Sequence, residues 1–157
     1  MLKGYGVLDS ANEPEFDSIV REAAISLGTS IALVSLLDEH RQWFKAKVGL
    51  STSETPLSMS FCTHAVQQDG VFEVPDATRD DRFADNPLVT GDPNIRFYAG
   101  VPLRTPGGSR IGTICVIDKR PRAGLSAAEK DHLEALAQRV MMLLEDRKKR
   151  GVPVCLA

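Results

Sequence analysis

The side chains best suited to bind a small molecule lie in one segment, IRFYAGVPLRTPGGSRIGTICVID, which runs from Ile95 to Asp118. Arg96 and Tyr98 share one face if this strand alternates regularly, and Gly100 follows them. An arginine fork suits a carboxylate or phosphate, and tyrosine offers an apolar ring with one hydroxyl. Gly100 and Gly112 both stand inside predicted strands, where glycine often marks close approach of a ligand or another backbone. The segment predicts either the floor of a pocket or a bulge with tight packing.

An acidic side chain competes with a ligand for this arginine. Asp76 follows the short predicted strand Val71–Val74, where it can contribute to the ligand site. Alternatively, it pairs with Arg96 or Arg82 in a salt bridge that ties the crossover segment to the sheet. Phe61, which precedes the next motif, completes the candidate ligand-binding residues.

A Cys-x-His pair, Cys62 and His64, stands at the start of a predicted short helix. A helix N-terminus favours a thiolate, which would permit a covalent or metal role. A zinc site needs three or four ligands, however, and this pair supplies two. The simpler interpretation is a small buried Cys62 with His64 at the edge of a cavity. Both are retained as candidate ligand-binding residues, without a catalytic or metal role.

Sequence motifs for catalysis are absent. The chain has no glycine-rich phosphate loop, no H-E-x-x-H and no G-x-S-x-G. Its three cysteines, Cys62, Cys115 and Cys155, are odd in number and show no C-x-x-C spacing. We therefore predict reduced thiols and a protein that is not an enzyme, with no cofactor indicated.

Length and composition predict one globular domain over residues 1–157. Hydrophobic residues make up 43% and charged residues 25%, with a formal net charge of -2 that gives no reason to expect nucleic acid binding. No apolar run approaches the roughly 20 residues of a membrane helix. The start, MLKGYGVLDS, lacks the apolar core of a signal peptide and favours the cytoplasm.

Hydrophobic periodicity and turn signals predict the elements that position these residues. In chain order they are a helix, a hairpin, a short helix, a strand, a crossover, a second hairpin and a long helix: Glu13–Leu27, Ile31–Leu37 with Arg41–Val48, Phe61–Gln68, Val71–Val74, Thr78–Asn94, Ile95–Asp118 and Ser126–Arg150. Gly49–Met59 is predicted to be a loop, and Ser126 with Glu129 forms a capping box. The fold class is α+β, with an antiparallel sheet, terminal helices on one face and the crossover on the other.

The last predicted helix carries an apolar stripe that is wider than one surface requires. Leu133, Leu136, Ala137, Val140 and Leu144 follow helical spacing, and Met141, Met142 and Leu143 widen the stripe. A stripe of this width can pack on two surfaces at once, the sheet of its own subunit and a second subunit. We predict a homodimer through the helices Glu13–Leu27 and Ser126–Arg150.

Five blocks in this order resemble the GAF domain, a sensory module of phytochromes, phosphodiesterases and bacterial signalling kinases. The match runs from about Leu8 to Arg147, the core of the domain, and leaves residues 151–157 as a tail. Its specific parts are LVSLLDEHRQWFKAKVGL, ETPLSMSFCTHAV, VPDATRDDRFADNPLV, IRFYAGVPL and IGTICVIDKRPRAGLS. Together they are similar to a bacterial subgroup that is often joined to histidine kinase or diguanylate cyclase modules.

The resemblance implies a five- or six-stranded antiparallel sheet, a ligand cavity between the sheet and the crossover, and dimerisation through the terminal helices. Bilin-binding members attach the chromophore through a cysteine followed directly by histidine, whereas Thr63 intervenes here. The Asn-Lys-x-Phe-Asp-Glu signature of cyclic-nucleotide-binding members is absent. The cysteine spacing also differs from the members that reduce free methionine sulfoxide.

Three functional hypotheses follow. The first is a small-molecule-binding sensory domain that signals through dimer helix packing, with a kinase or cyclase as output partner in trans. The second is a structural dimerisation module whose cavity is filled by its own side chains: Phe61, Phe83, Phe97 and Tyr98. The third is a thiol-dependent reductase of free methionine sulfoxide. The Met1 start and coherent tail favour a complete small protein; in an excised domain, the effector would be the missing part.

Overall fold

The fold is α+β, with helices on one face of a single antiparallel sheet and a crossover on the other. The computed structural model describes residues 13–38, 41–50, 52–56, 61–67, 70–91 and 94–149. Six strands form the sheet in the order β3-β2-β1-β6-β5-β4. The helices and strands are α1 (Pro14–Leu27), β1 (Ile31–Leu37), β2 (Arg41–Val48), β3 (Glu54–Pro56), α2 (Cys62–Ala65), β4 (Phe72–Val74), α3 (Pro87–Thr90), β5 (Phe97–Arg104), β6 (Arg110–Asp118) and α4 (Ala127–Lys149).

The helix α1 begins at Pro14, one residue after its predicted start at Glu13. Pro14 fits the first helical turn, where a missing N–H costs no hydrogen bond, and Glu13 is the N-cap. Gly28 ends the helix with φ 69°, a left-handed conformation that glycine adopts without strain. The apolar stripe is buried against the sheet: Phe16, Ile19, Val20, Ala23, Ala24 and Leu27.

The helix α4 begins at Ala127, directly after Ser126 of the predicted capping box. Ser126 N donates to Glu129 Oε1 (2.9 Å), and Glu129 N donates to Ser126 Oγ (3.1 Å). This reciprocal pair satisfies two N–H groups that would otherwise lack partners at the helix start. The capping-box prediction is confirmed.

The central strands β1 and β6 pair over Ile31–Leu36 and Gly112–Ile117, which places the two most apolar strands in the middle of the sheet. A bulge interrupts the β1–β2 ladder, since Val34 pairs with Ala46 while Ser35 pairs with Phe44. The bulge leaves Lys45 outside the ladder.

Two apolar cores lie on opposite faces of the sheet. The helix-side core joins α1 and α4 to alternate sheet residues, among them Val34, Leu36, Trp43, Ala46 and Phe97. The crossover-side core joins the intervening positions to α2, α3 and their flanking segments, among them Ile31, Leu33, Phe44, Tyr98 and Cys115. Both Trp43 and Phe44 are therefore buried, on opposite faces.

The structure differs from the sequence prediction in three connecting segments. The predicted loop Gly49–Met59 contains the edge strand β3, which pairs with the start of β2. The predicted helix Phe61–Gln68 is the single turn α2 followed by a turn, and Gln68 itself lies outside the described residues. The crossover Thr78–Asn94 begins within a 3-10 turn at Ala77–Arg79 and contains α3. Short polar segments carry little periodicity, so pairing with neighbours decides their conformation.

Membrane insertion finds no support in the described helices. Within these residues, no helix combines the length and the apolar character needed to cross a bilayer. The predicted tail, residues 151–157, lies outside the described part of the chain.

Candidate functional site

A cavity of about 90 Å³ lies on the crossover side of the sheet. Its floor is formed by strand residues Ile31, Leu33, Phe44, Tyr98, Cys115 and Ile117. Its opposite wall is formed by Phe61, Leu88 and Ile95. Its rim is formed by Gln42, Leu50, Thr52 and Thr55. The cavity is therefore mainly apolar, with its polar side chains gathered at the edge where β2 meets β3.

The polar end of the cavity is built by a cross-strand pair. Gln42 and Thr55 face each other in the β2–β3 ladder, and Gln42 Nε2 donates to Thr55 Oγ1 (3.0 Å). Both side chains belong to residues that are less than one-tenth exposed. Because a hydroxyl can accept and donate at once, Thr55 keeps a proton for an acceptor on a bound molecule.

The space above Gly100 is filled by the protein itself. A Cβ built on Gly100 would lie 2.5 Å from Tyr98 Oη and 2.9 Å from Tyr98 Cζ. The tyrosine side chain thus folds back along its own strand over the glycine. Gly100 makes room for Tyr98, and only the tyrosine lines the cavity.

Buried hydroxyls and thiols cluster beneath α2. Ser35 Oγ, Tyr98 Oη and Thr113 Oγ1 are buried, and none meets hydrogen-bond geometry with another described group. Cys62 and Cys115 are buried beside them. Burial raises the pKa of the Cys62 thiol far above its usual range and that of Cys115 to about 12, although the nearby Thr113 hydroxyl opposes both shifts. Burial likewise raises the pKa of Tyr98.

We expect neither described cysteine to react with a water-soluble alkylating reagent in the folded protein. The thiolate is the reactive form, and both pKa values lie well above neutral pH. Intact-mass measurement of a Cys155→Ser variant after iodoacetamide treatment at pH 8 checks this. The same variant in denaturant should gain two labels, and labelling of Cys62 under native conditions would contradict the expectation.

An aromatic stack separates His64 from the cavity. Phe61 and Phe83 stack with ring centroids 4.0 Å apart, and the His64 ring meets the edge of Phe83 at 4.8 Å. Partial burial, followed by the charge of Arg82, lowers the pKa of His64. Arg82 binds Asp80 at 2.7 Å and lies over the Phe83 ring. His64 therefore packs in an aromatic cluster outside the cavity lining.

Arg96 and Asp76 have separate structural partners. Arg96 precedes β5, and its Nη1 donates to the carbonyl oxygens of Val89 (2.9 Å) and Ile95 (3.0 Å). The Asp76 carboxylate accepts from Thr78 Oγ1 at 2.6 Å, and this hydrogen bond is the main reason that the pKa of Asp76 is lowered. The alternative salt bridge from Asp76 to Arg96 or Arg82 is not seen, since Asp76 binds Thr78, Arg82 binds Asp80 and Arg96 binds main-chain oxygens.

Of the predicted ligand-binding residues, the structure brings two into the cavity lining, Phe61 and Tyr98. The others lie around it without lining it: Cys62, His64, Asp76, Arg96 and Gly100. Gln42 and Thr55 were missed by sequence reasoning. Alternation along β2 could have found Gln42, since it shares a face with Phe44.

A metal site is absent from the residues that the structure covers. Among them, no group of three or more histidine, cysteine, aspartate or glutamate side chains is placed to hold an ion. The pair Cys62 and His64 accordingly gains no third ligand from the described part of the chain.

Comparison with known proteins identifies the family. The family model of the GAF domain matches residues 12–144. The chain belongs to the GAF domain family. The matched region contains every described strand and nearly all of α4, so the family assignment covers the whole sheet and the cavity.

Solved structures share the fold of this GAF domain. The GAF domain of an Acinetobacter phosphoenolpyruvate-protein phosphotransferase has a TM-score of 0.68 at 19% identity, covering 96% of this chain and 96% of that one. A type II free methionine-R-sulfoxide reductase from Thermoplasma acidophilum has a TM-score of 0.69 at 17% identity, covering 93% and 96%. At such identities the likeness concerns the fold alone.

A curated relative of this GAF domain is more similar in sequence. It is a cyclic di-GMP phosphodiesterase of Pseudomonas aeruginosa, 48% identical over 136 residues. The match covers 87% of this chain and 23% of the relative. The chain thus spans about a quarter of the length of the curated protein that it matches.

Proposed function

We propose that this GAF domain binds a small molecule in the cavity and regulates a signalling enzyme through the packing of α1 and α4 in a homodimer. The observation that carries the proposal is the cavity of about 90 Å³ between sheet and crossover, apolar except for Gln42, Thr52 and Thr55 at one end. An apolar pocket with a few convergent polar groups is typical of a ligand site.

The strand β2 supplies a direct path from the cavity to the helices. Gln42 and Phe44 line the cavity, whereas Trp43 belongs to the helix-side core. On that same side Lys45 Nζ binds Glu13 Oε2 at 2.7 Å, at the start of α1. A ligand that shifts β2 would therefore change the position of α1. Such a ligand changes the helix packing only if it binds one of two helix arrangements more tightly than the other.

Exposed apolar side chains on the terminal helices support dimerisation. Ile25 on α1 is 80% exposed and Met142 on α4 is 69% exposed. Both helices pack on the same face of the sheet, where Arg139 Nη1 on α4 binds Glu22 Oε1 on α1 at 3.1 Å. A second copy would cover these apolar groups.

The output partner that we propose is a signalling enzyme of the kinase, cyclase or cyclic-dinucleotide phosphodiesterase class. The support is the 48% identity to the Pseudomonas aeruginosa phosphodiesterase, in which the matched region is 23% of the chain. A domain that corresponds to less than a quarter of an enzyme is better suited to regulating the catalytic part than to carrying out catalysis. We accordingly assign this GAF domain a regulatory role within the cytoplasm.

A structural dimerisation module is the second candidate, and the filling of the crossover side favours it. Phe61, Phe83 and Tyr98 occupy much of that side, and Phe61 stacks on Phe83 at 4.0 Å. Phe97, the fourth predicted filler, lies in the helix-side core instead. The reductase hypothesis has less support, because burial disfavours the thiolates of Cys62 and Cys115.

Replacing Leu33 with phenylalanine is expected to abolish ligand retention while preserving the fold. Leu33 lies on the cavity floor, so the larger ring enters empty space. Native mass spectrometry of wild type and variant, each purified from the natural host cells, measures the retained ligand and the oligomeric state together. Wild type should carry a ligand as a dimer, and the variant should be a bare dimer.

The control for this test is Leu36→Phe on the same strand. Leu36 belongs to the helix-side core and does not line the cavity, so overpacking should cost about 1–3 kcal/mol without removing the ligand. If Leu33→Phe retained the ligand, the cavity would not be the binding site. A bare wild-type dimer would favour the structural module, and a monomer at high concentration would contradict signalling through dimer packing.

A further inference from the structure

We infer that the ligand of this cavity is an uncharged molecule no larger than benzene, with one hydrogen-bond acceptor at the Gln42–Thr55 end. The inference rests on the proposed function and adds the chemical class of the ligand. It excludes nucleotides, cyclic dinucleotides and other anions from this cavity, whatever the output enzyme acts on.

The charge of the cavity lining favours a neutral ligand. No lysine, arginine, aspartate or glutamate is among the described side chains that line the cavity. Burying a carboxylate or phosphate in such surroundings without a partner is strongly unfavourable. A bound anion would therefore find no counter-charge among the described residues that line the cavity.

Two cations of the described structure donate to main-chain oxygens of residues that line the cavity. Arg96 Nη1 donates to the carbonyl oxygens of Val89 and Ile95. Lys47 Nζ donates to the carbonyl oxygen of Thr52 (3.1 Å) on the exposed side of the rim. These bonds hold both side chains against the main chain, and neither residue lines the cavity. The geometry thus favours a neutral ligand over one that needs an ion pair.

The volume of the cavity limits the size of the ligand. The cavity measures about 90 Å³, whereas an apolar cavity of roughly 150 Å³ accepts benzene in an engineered protein. A nucleotide would have to displace the rim or the stacked aromatic side chains Phe61 and Phe83. Because this cavity is smaller than the one that accepts benzene, about six non-hydrogen atoms is the upper limit for its ligand.

The polar end of the cavity offers a hydrogen-bond donor to the ligand. The Thr55 hydroxyl already accepts from Gln42 Nε2 at 3.0 Å, which leaves its proton to donate. The donor lies on a residue that is 8% exposed, so water competes weakly for it. A neutral carbonyl oxygen on the ligand would complete this arrangement, while the rest of the ligand packs against Leu33, Phe44 and Ile117.

Isobutyramide and isobutyrate form a matched pair of probes, because they share shape and size and differ in charge. Titration followed by ¹H–¹⁵N NMR reports binding at the amides of Leu33 and Ile117. We expect isobutyramide to bind at least about tenfold more tightly than isobutyrate. Thr55→Val should weaken isobutyramide several-fold, whereas Thr90→Val, an exposed threonine outside the lining, should leave its affinity unchanged.

The possible outcomes separate this inference from the proposed function. Equal or tighter binding of isobutyrate would overturn the neutral-ligand class and leave the cavity as a ligand site. A charged or nucleotide ligand retained from host cells and displaced by isobutyramide would do the same. A ligand of six non-hydrogen atoms is expected to bind with a dissociation constant below about 100 mM. If neither probe shifted the cavity amides up to that concentration, the inference would be overturned. A bare wild-type protein would then remove the proposed function as well.

Discussion

Gly112→Ala is expected to lower the free energy of unfolding by about 3 kcal/mol or more, through overpacking in the sheet centre. A Cβ at Gly112 would overlap the carbonyl oxygen of Ser35 and lie 2.9 Å from Leu36 Cα. Both neighbours are backbone atoms of β1, so no side-chain rotation can relieve the contact. The strands β1 and β6 would have to separate where they pair along Ile31–Leu36. Urea and thermal unfolding measure the change.

The size of the effect can be set against a glycine on the same hairpin. Gly107 lies in the turn, and a Cβ there would meet nothing closer than Thr105 Oγ1 at 3.9 Å. Gly107→Ala should stay within about 0.5 kcal/mol of wild type. The melting temperature of Gly112→Ala should fall by roughly 6–12 °C for a domain of this size. Similar stabilities for the two variants would show that β1 and β6 tolerate a wider spacing.

The two strand glycines illustrate what the sequence could and could not predict. Their pattern indicated close approach at Gly100 and Gly112, and both positions are crowded. The partner differs, however, since Gly112 meets the backbone of β1 whereas Gly100 meets the Tyr98 side chain. A sequence shows that a side chain is missing, but the neighbour that fills the space depends on strand order and register.

The long elements could be predicted because their periodicity is strong. The stripe of α1 and the capping box of α4 both appear where expected. The edge strand β3 could not, since its three residues, Glu54–Pro56, carry no alternation and form a strand through pairing with Arg41–Trp43.

The site was harder to predict than the fold. Chemically distinctive residues drew attention, yet Arg96 binds two carbonyl oxygens and His64 packs among aromatic rings. The polar end of the cavity is made by Gln42 and Thr55, whose types are common on any surface. Their importance comes from burial at a strand edge, which depends on β3 and therefore on tertiary pairing.

Glu13→Ala is expected to destabilise the fold by about 2–3 kcal/mol, because it removes a carboxylate that pairs with a buried ammonium. Lys45 Nζ lies 2.7 Å from Glu13 Oε2, with the lysine side chain fully buried and the glutamate side chain 24% exposed. The Phe16 ring lies 5.4 Å from the same ammonium. Breaking a buried pair typically costs about 3–5 kcal/mol, and we expect less here since water reaches Glu13. Urea unfolding measures the loss.

Loss of a helix cap does not explain this effect. Glu13 is the N-cap of α1, yet its side chain makes no capping hydrogen bond. The capping contacts come from its main-chain oxygen, which accepts from the amides of Phe16 and Asp17 and remains in the variant. The stability change in Glu13→Ala therefore reports chiefly on the charge of Lys45.

A double-mutant cycle separates the burial of charge from the attraction between charges. Lys45→Met removes the desolvated ammonium and fills its space with an apolar chain, so it should cost less than Glu13→Ala. The double variant should return to within about 1 kcal/mol of wild type, as buried pairs replaced by apolar groups often do. The exposed pair Arg139–Glu22 serves as a reference, with less than about 1 kcal/mol lost in Arg139→Ala.

The same cycle tests how the cavity is connected to α1. If Lys45→Met were the more damaging single change, the ammonium would be stabilising in its own right and the buried-charge argument would be wrong. If the double variant were stable yet its α1 amides no longer shifted on addition of isobutyramide, the pair would be the link between β2 and α1. Gln42 and Phe44 line the cavity on the same strand as Lys45. The buried pair of Lys45 and Glu13 therefore joins α1 to a strand that lines the cavity.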